Sequence, residues 1–172
     1  LRAYTPADAP AVWVAITESR SSLARWTPDI GRRSNLADVQ AGLEQLEQSC
    51  ARGERLVYGI WRRDADTFLG EVGLHDIDWD RRTASVGYWL RLSARGQGLI
   101  DEALEVLQTY ASRILGLRDL EAHIAIENAA SRRVVERHGY LVKGARCADA
   151  RWDGEASTVL IYALTLDPVG AT

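Results

Sequence analysis

The chemistry-bearing residues of this 172-residue chain concentrate in Tyr88-Trp89-Leu90-Arg91-Leu92-Ser93-Ala94-Arg95-Gly96-Gln97-Gly98-Leu99-Ile100. This stretch joins a strand-like alternation to the longest helical pattern in the chain. A helix N-terminus offers unsatisfied N–H groups and a partial positive charge, and glycines let a phosphate approach that backbone closely. Arg95 adds a permanent charge with a fork of donors suited to phosphate oxygens. A P-loop needs a lysine after its last glycine, and no lysine lies nearby. A dinucleotide fingerprint would put its third glycine where Asp101 stands, within a run of parallel βαβ units. The stretch is therefore a polyphosphate-binding candidate of another kind, and a ligand-free strand-to-helix turn is the bland alternative.

A second segment, Asn128-Ala129-Ala130-Ser131-Arg132-Arg133-Val134-Val135-Glu136-Arg137-His138-Gly139-Tyr140, places an amide and a hydroxyl at the start of a short helix. On a strand further upstream, Glu71 and His75 are four apart and so share one face, where they form a candidate general-base pair. An exposed polar strand face is the plain alternative. His123 and His138 read as packing or surface residues.

The elements that must position these groups follow from periodicity. Thr5-Pro6-Ala7-Asp8 is a helix-start cluster, and Val12, Ile16 and Leu23 continue a helix over 10–22. Trp26 to Arg33 reads as a loop. Leu36, Val39, Leu43, Leu46 and Cys50 predict a second helix, with Ser34 or Asn35 as cap and Gly53 as stop. The pattern then becomes β-rich at 56–61 and 67–75, around the polar turn 62–66. After a turn at 78–82, the segment 83–90 alternates Ala84, Val86, Tyr88 and Leu90 with Ser85, Gly87 and Trp89. Ile100, Ala103, Leu104, Leu107, Tyr110, Ala111 and Ile114 make a helical stripe ended by Gly116. A strand through Leu120, Ala122, Ile124 and Ile126, a helix over 129–138 and closing strands at 140–145 and 157–166 complete the order β-α-α-β-β-β-α-β-α-β-β. An antiparallel meander with one βαβ crossover predicts an α/β (α+β mixed) fold: a largely antiparallel mixed sheet of about seven strands with flanking helices, in one domain over residues 1–172.

Composition bounds the function. A hydrophobic fraction of 47% beside 26% charged residues describes an ordinary globular domain, and a chain of this size buries about 70% of the surface its unfolded form exposes. The net charge of −3 argues against bulk attraction to nucleic acid or to a membrane. Cys50 and Cys147 form neither a disulfide framework nor a zinc pattern, so no metal is expected. No apolar run approaches a membrane span, and a cytoplasmic location is the expectation. The chain opens on Leu1, which predicts a few residues ahead of it. Lys143 is the only lysine among 21 basic residues, so arginine forks and backbone N–H groups are left to recognise phosphate.

The two segments together resemble the Gcn5-related N-acetyltransferases. Arg95 to Ile100 fits [QR]-x-x-G-x-[GA], with Ile100 in place of the usual Gly or Ala, and Asn128 to Tyr140 fits N-x-x-S-x-x-x-x-x-x-x-G-[FY]. Gly87-Tyr88-Trp89-Leu90 and Gly96-Gln97-Gly98-Leu99-Ile100 are similar to the Rim-type branch, especially RimL-like members, which acetylate N-termini of ribosomal proteins. The resemblance covers nearly the whole chain.

The resemblance implies acetyl-CoA as co-substrate, with Arg95, Gly96, Gln97, Gly98, Leu99 and Ile100 around the pyrophosphate. The backbone of Trp89 and Leu90 would hold the pantetheine and polarise the thioester carbonyl. Asn128 would bond the pantetheine arm, and Ser131 would donate to the departing thiolate. Tyr140 is the other candidate acid, although an aromatic at that place is more often core. Rim-type enzymes also place an acid between the last two strands, where Ala150 stands here beside Asp149, so the base remains open among Glu71, His75, Asp149 and water. Trp26, Trp79 and Trp152 either shape the acceptor mouth or seal sheet ends. The expected activity is direct acetyl transfer to an amine, foremost the α-amino group of a ribosomal or other protein. A small-amine or antibiotic-like acceptor and a non-catalytic acetyl-CoA-binding module are the alternatives. A sheet edge near the C-terminus leaves room for a homodimer.

Overall fold

The computed structural model describes residues 1–63, 67–148 and 157–166. Asp149, Ala150, Trp152, the turn at 151–154 and the centre of the turn at 62–66 lie outside the described residues.

The chain begins with a short strand, β1 (Arg2–Ala3), and a 3-10 turn whose Asp8 carboxylate accepts Thr5 N–H at 2.7 Å. Helix α1 (Ala9–Trp26) follows. It runs a full turn beyond the expected 10–22 because Leu23 is buried as part of its apolar stripe. The expected loop from Trp26 to Arg33 contains a further helical turn, α2 (Pro28–Gly31). Proline at a first helical position needs no N–H partner, and Thr27 N–H bonds Leu23 O to close α1. A Cβ at Gly31 would stand 2.5 Å from Ala24 N, so only glycine lets α2 fold back against α1.

Helix α3 (Leu36–Ala51) is capped by Asn35, whose side chain accepts Asp38 N–H. Strands β2 (Leu56–Trp61), β3 (Phe68–Asp78) and β4 (Thr83–Leu90) then form the expected meander. The second half comprises α4 (Leu99–Arg113), β5 (Asp119–Ala125), α5 (Ala129–Arg137), β6 (Leu141–Ala148) and β7 (Ser157–Thr165). The seven strands form one sheet in the order β1-β2-β3-β4-β5-β7-β6. Every pairing is antiparallel except that of β4 with β5.

Each face of the sheet has its own core. One packs Val72, Leu74, Ala84 and Val86 against α4 and α5 through Ile100, Leu104, Leu107 and Val135. The other packs Tyr4, Val57, Phe68 and Trp89 against α1 and α3. Phe68 sits edge-on to Trp89 at 5.5 Å between ring centroids. Period-2 alternation along β3 sends Val72 and Leu74 to the first core and Glu71, Gly73 and His75 to the second face.

Candidate active site

The parallel pair decides where a ligand fits. β4 and β5 pair only at Thr83↔Asp119, Ala84↔Leu120 and Ser85↔Glu121, while β4 continues to Leu90 along β3. Beyond Ser85 the two strands part, and the end of β4 pairs with no strand on that side among the described residues. A cavity of about 360 Å³ opens there, bounded by Tyr88, Trp89 and Leu90 on one wall and by Asn128, Ala130 and Ser131 on the other.

The floor is the β4–α4 turn. Gly96 and Gly98 adopt φ of +70° and +75°, a left-handed conformation that glycine enters without a Cβ penalty. Nothing lies within 4 Å of where a Cβ would stand at either position. Gly98 is the N-cap of α4 and supplies no side-chain cap, so the N-cap residue leaves the first-turn N–H groups available. Ile100 is buried, 7% exposed. Its branched side chain belongs to the sheet core, which answers the departure from Gly or Ala at that position.

The cradle is open, lined by backbone N–H groups and flanked by the arginines Arg95, Arg133 and Arg137. That donor set and empty space fit a pyrophosphate. Arg137 binds Asp101 at 2.7 Å, and His138 Nε2 lies 3.2 Å from the same carboxylate. The Arg95 guanidinium turns back toward the strand end, donating to Ser22 Oγ at 2.8 Å and to Leu90 O at 3.3 Å. The Gln97 side chain donates to Ser93 O at 3.0 Å and so braces the turn.

Across the cavity, Asn128 caps α5, and its Oδ1 accepts Ser131 N–H at 3.2 Å. The Ser131 hydroxyl lies 2.8 Å from the Tyr88 phenol oxygen. Burial pushes the Tyr88 phenol up to about 12. Sequence reasoning passed over Tyr88 as a functional group, because alternation marked it only as a strand residue packed on the core.

The structure brings Trp89, Leu90, Arg95, Gly96, Gly98, Leu99, Ile100, Asn128 and Ser131 to this cavity and leaves Gln97 behind its floor. Glu71 and His75 stand elsewhere, on the sheet face toward α1 and α3. Glu71 accepts a 2.9 Å hydrogen bond from the Tyr4 phenol, and its register partner is Trp89, whose indole side chain shares that face. Desolvation raises the Glu71 carboxyl above its ordinary range, against the opposing pull of the Tyr4 hydrogen bond and of Arg33. Burial, then the Arg55 charge, lowers His75. Tyr140 is 1% exposed and belongs to the core. Trp79 donates to Gly53 O at 3.0 Å and seals the joint between α3 and β2. His123 is an exposed surface residue beside Glu121.

Helix α1 contributes a wall: Ser22, Leu23 and Trp26, the last a candidate for the acceptor mouth, border the cavity beside Thr27. Among the described lining residues Asp101 is the only carboxylate. Among the described residues no group of His, Cys, Asp and Glu is arranged to hold a metal ion, and no helix is long and apolar enough to cross a membrane.

Comparison with known proteins agrees with this geometry. The family described as acetyltransferase (GNAT) domain matches residues 1–141. The putative ribosomal N-acetyltransferase YdaF of Bacillus subtilis is 39% identical over 78 residues, 45% of this chain and 43% of that protein. The ribosomal-protein-serine acetyltransferase of Escherichia coli is 30% identical over 93 residues, 54% of this chain and 51% of that protein. The chain thus spans about half the length of these curated relatives. Among solved structures, RimL, a ribosomal L7/L12 alpha-N-protein acetyltransferase in complex with coenzyme A, superposes with a TM-score of 0.90 at 23% identity, covering 97% of this chain and 93% of that one.

Proposed function

This chain belongs to the acetyltransferase (GNAT) domain family, and on that premise we propose that it is an acetyl-CoA-dependent N-acetyltransferase whose acceptor is the free α-amino group of a protein. The observation that carries the reading is the parting of β4 from β5 above the Gly96–Gly98 cradle, which sets Ser131 across one cavity from the end of β4. The relatives named as ribosomal-protein acetyltransferases make a ribosomal protein the first acceptor to test. The whole chain acts as one such domain in the cytoplasm.

Acetyl-CoA supplies an acyl group activated as a thioester. The cradle and the N-terminus of α4 would bind its pyrophosphate through backbone N–H groups, with Arg133 at the rim. Backbone groups of Trp89 and Leu90 that have no β5 partner would orient the pantetheine and the carbonyl, with Asn128 opposite. Ser131 Oγ–H would donate to the sulfur that leaves. Alignment of the two reactants would supply the rest of the rate.

The scarcity of bases among the described lining residues supports this acceptor class. The one carboxylate lining the cavity among the described residues, Asp101, is committed to Arg137 and His138. An α-amino group with a pKa of about 8 is roughly one quarter neutral near pH 7.5 and needs little help, whereas a lysine near 10.4 is neutral in only about one molecule in a thousand and needs a strong base. Glu71, His75, Asp149 and water remain the candidates for what help is needed. The free edge of the sheet, β6, exposes Leu141 and Val142 at 73% and 55%, which supports a homodimer formed there; light scattering on the purified protein decides it.

The test is thiol release from acetyl-CoA with a panel of peptides bearing free N-termini, peptides blocked at the N-terminus but carrying lysine, and small amines. Turnover confined to free N-termini is expected. Turnover only with lysine or small amines would replace the acceptor. Tight CoA binding without any turnover would favour the non-catalytic module, a reading that needs both Glu71 and Asp149 to face away from the thioester; Glu71 is outside the cavity lining, and Asp149 lies outside the described residues.

A further inference from the structure

We propose that Tyr88 is a positioning residue for Ser131: its phenol aims the Ser131 hydroxyl into the cavity and strengthens it as the hydrogen-bond donor to the departing sulfur. The inference deepens the N-acetyltransferase reading and rests on it.

The geometry is that of one proton facing two acceptors. The Tyr88 phenol lies 2.8 Å from Ser131 Oγ and 3.1 Å from Ser131 O. A carbonyl only accepts, whereas two hydroxyls can each donate to the other. When the phenol donates to the carbonyl, its oxygen is left as an acceptor that draws the serine proton toward itself and away from the cavity. When the phenol donates to Oγ, the serine proton is free to point into the cavity, and the polarised hydroxyl is a stronger donor. Negative charge growing on sulfur favours the second arrangement.

The pair is held from both sides. The Ser131 N–H is tied to Asn128 Oδ1 at 3.2 Å, so the first turn of α5 cannot carry the hydroxyl away. The Tyr88 ring packs against the core beneath α4 and α5. Burial keeps the phenol near 12, so it stays protonated through the range in which an α-amino group loses its proton. Tyr88 thus supplies a hydrogen bond rather than a net proton. In the transfer a carbon–nitrogen bond forms and the carbon–sulfur bond breaks with its electron pair going to sulfur. The amine's proton passes to solvent or base, sulfur takes its proton from solvent after release, and Tyr88 and Ser131 end as they began.

The experiment compares wild type, Tyr88→Phe, Ser131→Ala and the double variant. CoA binding is followed by calorimetry, and ionisation of the bound CoA thiol by ultraviolet thiolate absorbance from neutral to alkaline pH. Free CoA, titrated beside the complex, is the reference. In wild type the bound thiol is expected to titrate below free CoA, and Tyr88→Phe should lose most of that shift while its CoA affinity at neutral pH, where the thiol is protonated, stays within about twofold; the matching affinity loss appears only at alkaline pH, where the thiolate binds. In turnover, Tyr88→Phe should lower kcat by about 10- to 100-fold with the KM for acetyl-CoA nearly unchanged, less than the roughly 100- to 1000-fold lost with a direct donor, because Tyr88 acts through Ser131. Adding it to Ser131→Ala should cost nothing further, because two residues acting as one unit are not additive. An unchanged thiol titration in Tyr88→Phe, or losses that add in the double variant, would overturn the proposal while leaving the acetyltransferase reading intact. Failure of the wild type to bind CoA would overturn both.

Discussion

Arg91, the first residue beyond β4, is clasped by Glu18 from the middle of α1. Its Nε donates to Glu18 Oε2 at 2.8 Å, and the other carboxylate oxygen accepts Ser93 N–H at 2.7 Å. Ser19 adds a third tie, its Oγ accepting Leu92 N–H at 2.9 Å. One turn further along the helix, Ser22 receives Arg95. Helix α1 therefore holds the entry to the phosphate cradle through one polar stripe.

Glu18→Gln should loosen that entry while leaving the reacting groups in place. Charge-assisted bonds of this kind contribute about 1.5–3 kcal/mol, so the melting temperature should fall by several degrees. The KM for acetyl-CoA should rise several-fold with kcat kept. Calorimetric CoA titration and steady-state kinetics check it, and a lowered kcat at unchanged KM would contradict it.

The same carboxylate makes an acid-range prediction. The Arg91 hydrogen bonds hold Glu18 down to about 2, against about 4.3 in an unfolded chain. A depressed pKa contributes stability that is present above the unfolded value and is lost as pH falls toward the folded one. The stability gap between wild type and Glu18→Gln should be full above about pH 4.5 and shrink progressively below it. Urea titrations at stepped pH measure the gap.

Glu71 works in the opposite sense. Desolvation raises its folded pKa, so the folded protein is stabilised with the carboxyl protonated, and that contribution is lost as pH rises through the folded value. Glu71→Gln keeps a carbonyl for the Tyr4 phenol without the charge. It should therefore raise the melting temperature at pH 8, with the advantage fading below the carboxyl range. Its activity also tests the base: an unchanged rate with an α-amino acceptor removes Glu71 from that role.

Two glycines separate backbone strain from ligand space. Gly98 and Gly116 have φ of +75° and +67°, and neither has any atom within 4 Å of a built Cβ. Each alanine variant should lose about 1 kcal/mol from left-handed strain. Only Gly98 lines the cavity, so Gly98→Ala should also weaken CoA binding by at least about tenfold, equivalent to 1.4 kcal/mol. Gly116→Ala should bind CoA as wild type does.

Asn128→Ala removes the α5 cap and should cost about 1 kcal/mol of stability. Ser131→Ala leaves that cap in place, so its melting temperature should stay close to wild type while kcat falls. Thermal melts beside single-turnover rates distinguish the two variants.

Much of this arrangement was legible in the chain itself. Period-2 alternation from Ala84 to Leu90, the stripe from Ile100 to Ala111 and the choice of Ser34 or Asn35 as a cap are local signals, because strand pleat, helix pitch and end-capping involve residues only a few positions apart. The Gly96–Gly98 turn is local in the same way: only its own φ angles and the following helix are needed to make an anion cradle. The continuation of α1 past Ser22 was missed because Trp26 and Pro28 resemble a loop opening. What overrode them was burial of Leu23 and the fold-back of Gly31 onto Ala24.

Tertiary packing decided the rest. Glu18 meets Arg91 across 73 residues, Tyr88 meets Ser131 across 43, and Tyr4 meets Glu71 across 67. No periodicity encodes such pairs, since each depends on how two independently predictable elements are pressed together by their apolar faces. The same holds for the cavity, which lies where β4 and β5, paired as far as Ser85, part company, and which residues of α1 and α5 line. Sequence by itself determined which groups face which side of each element; packing determined which of those faces look at one another, because that is settled by the burial of side chains distant in the chain.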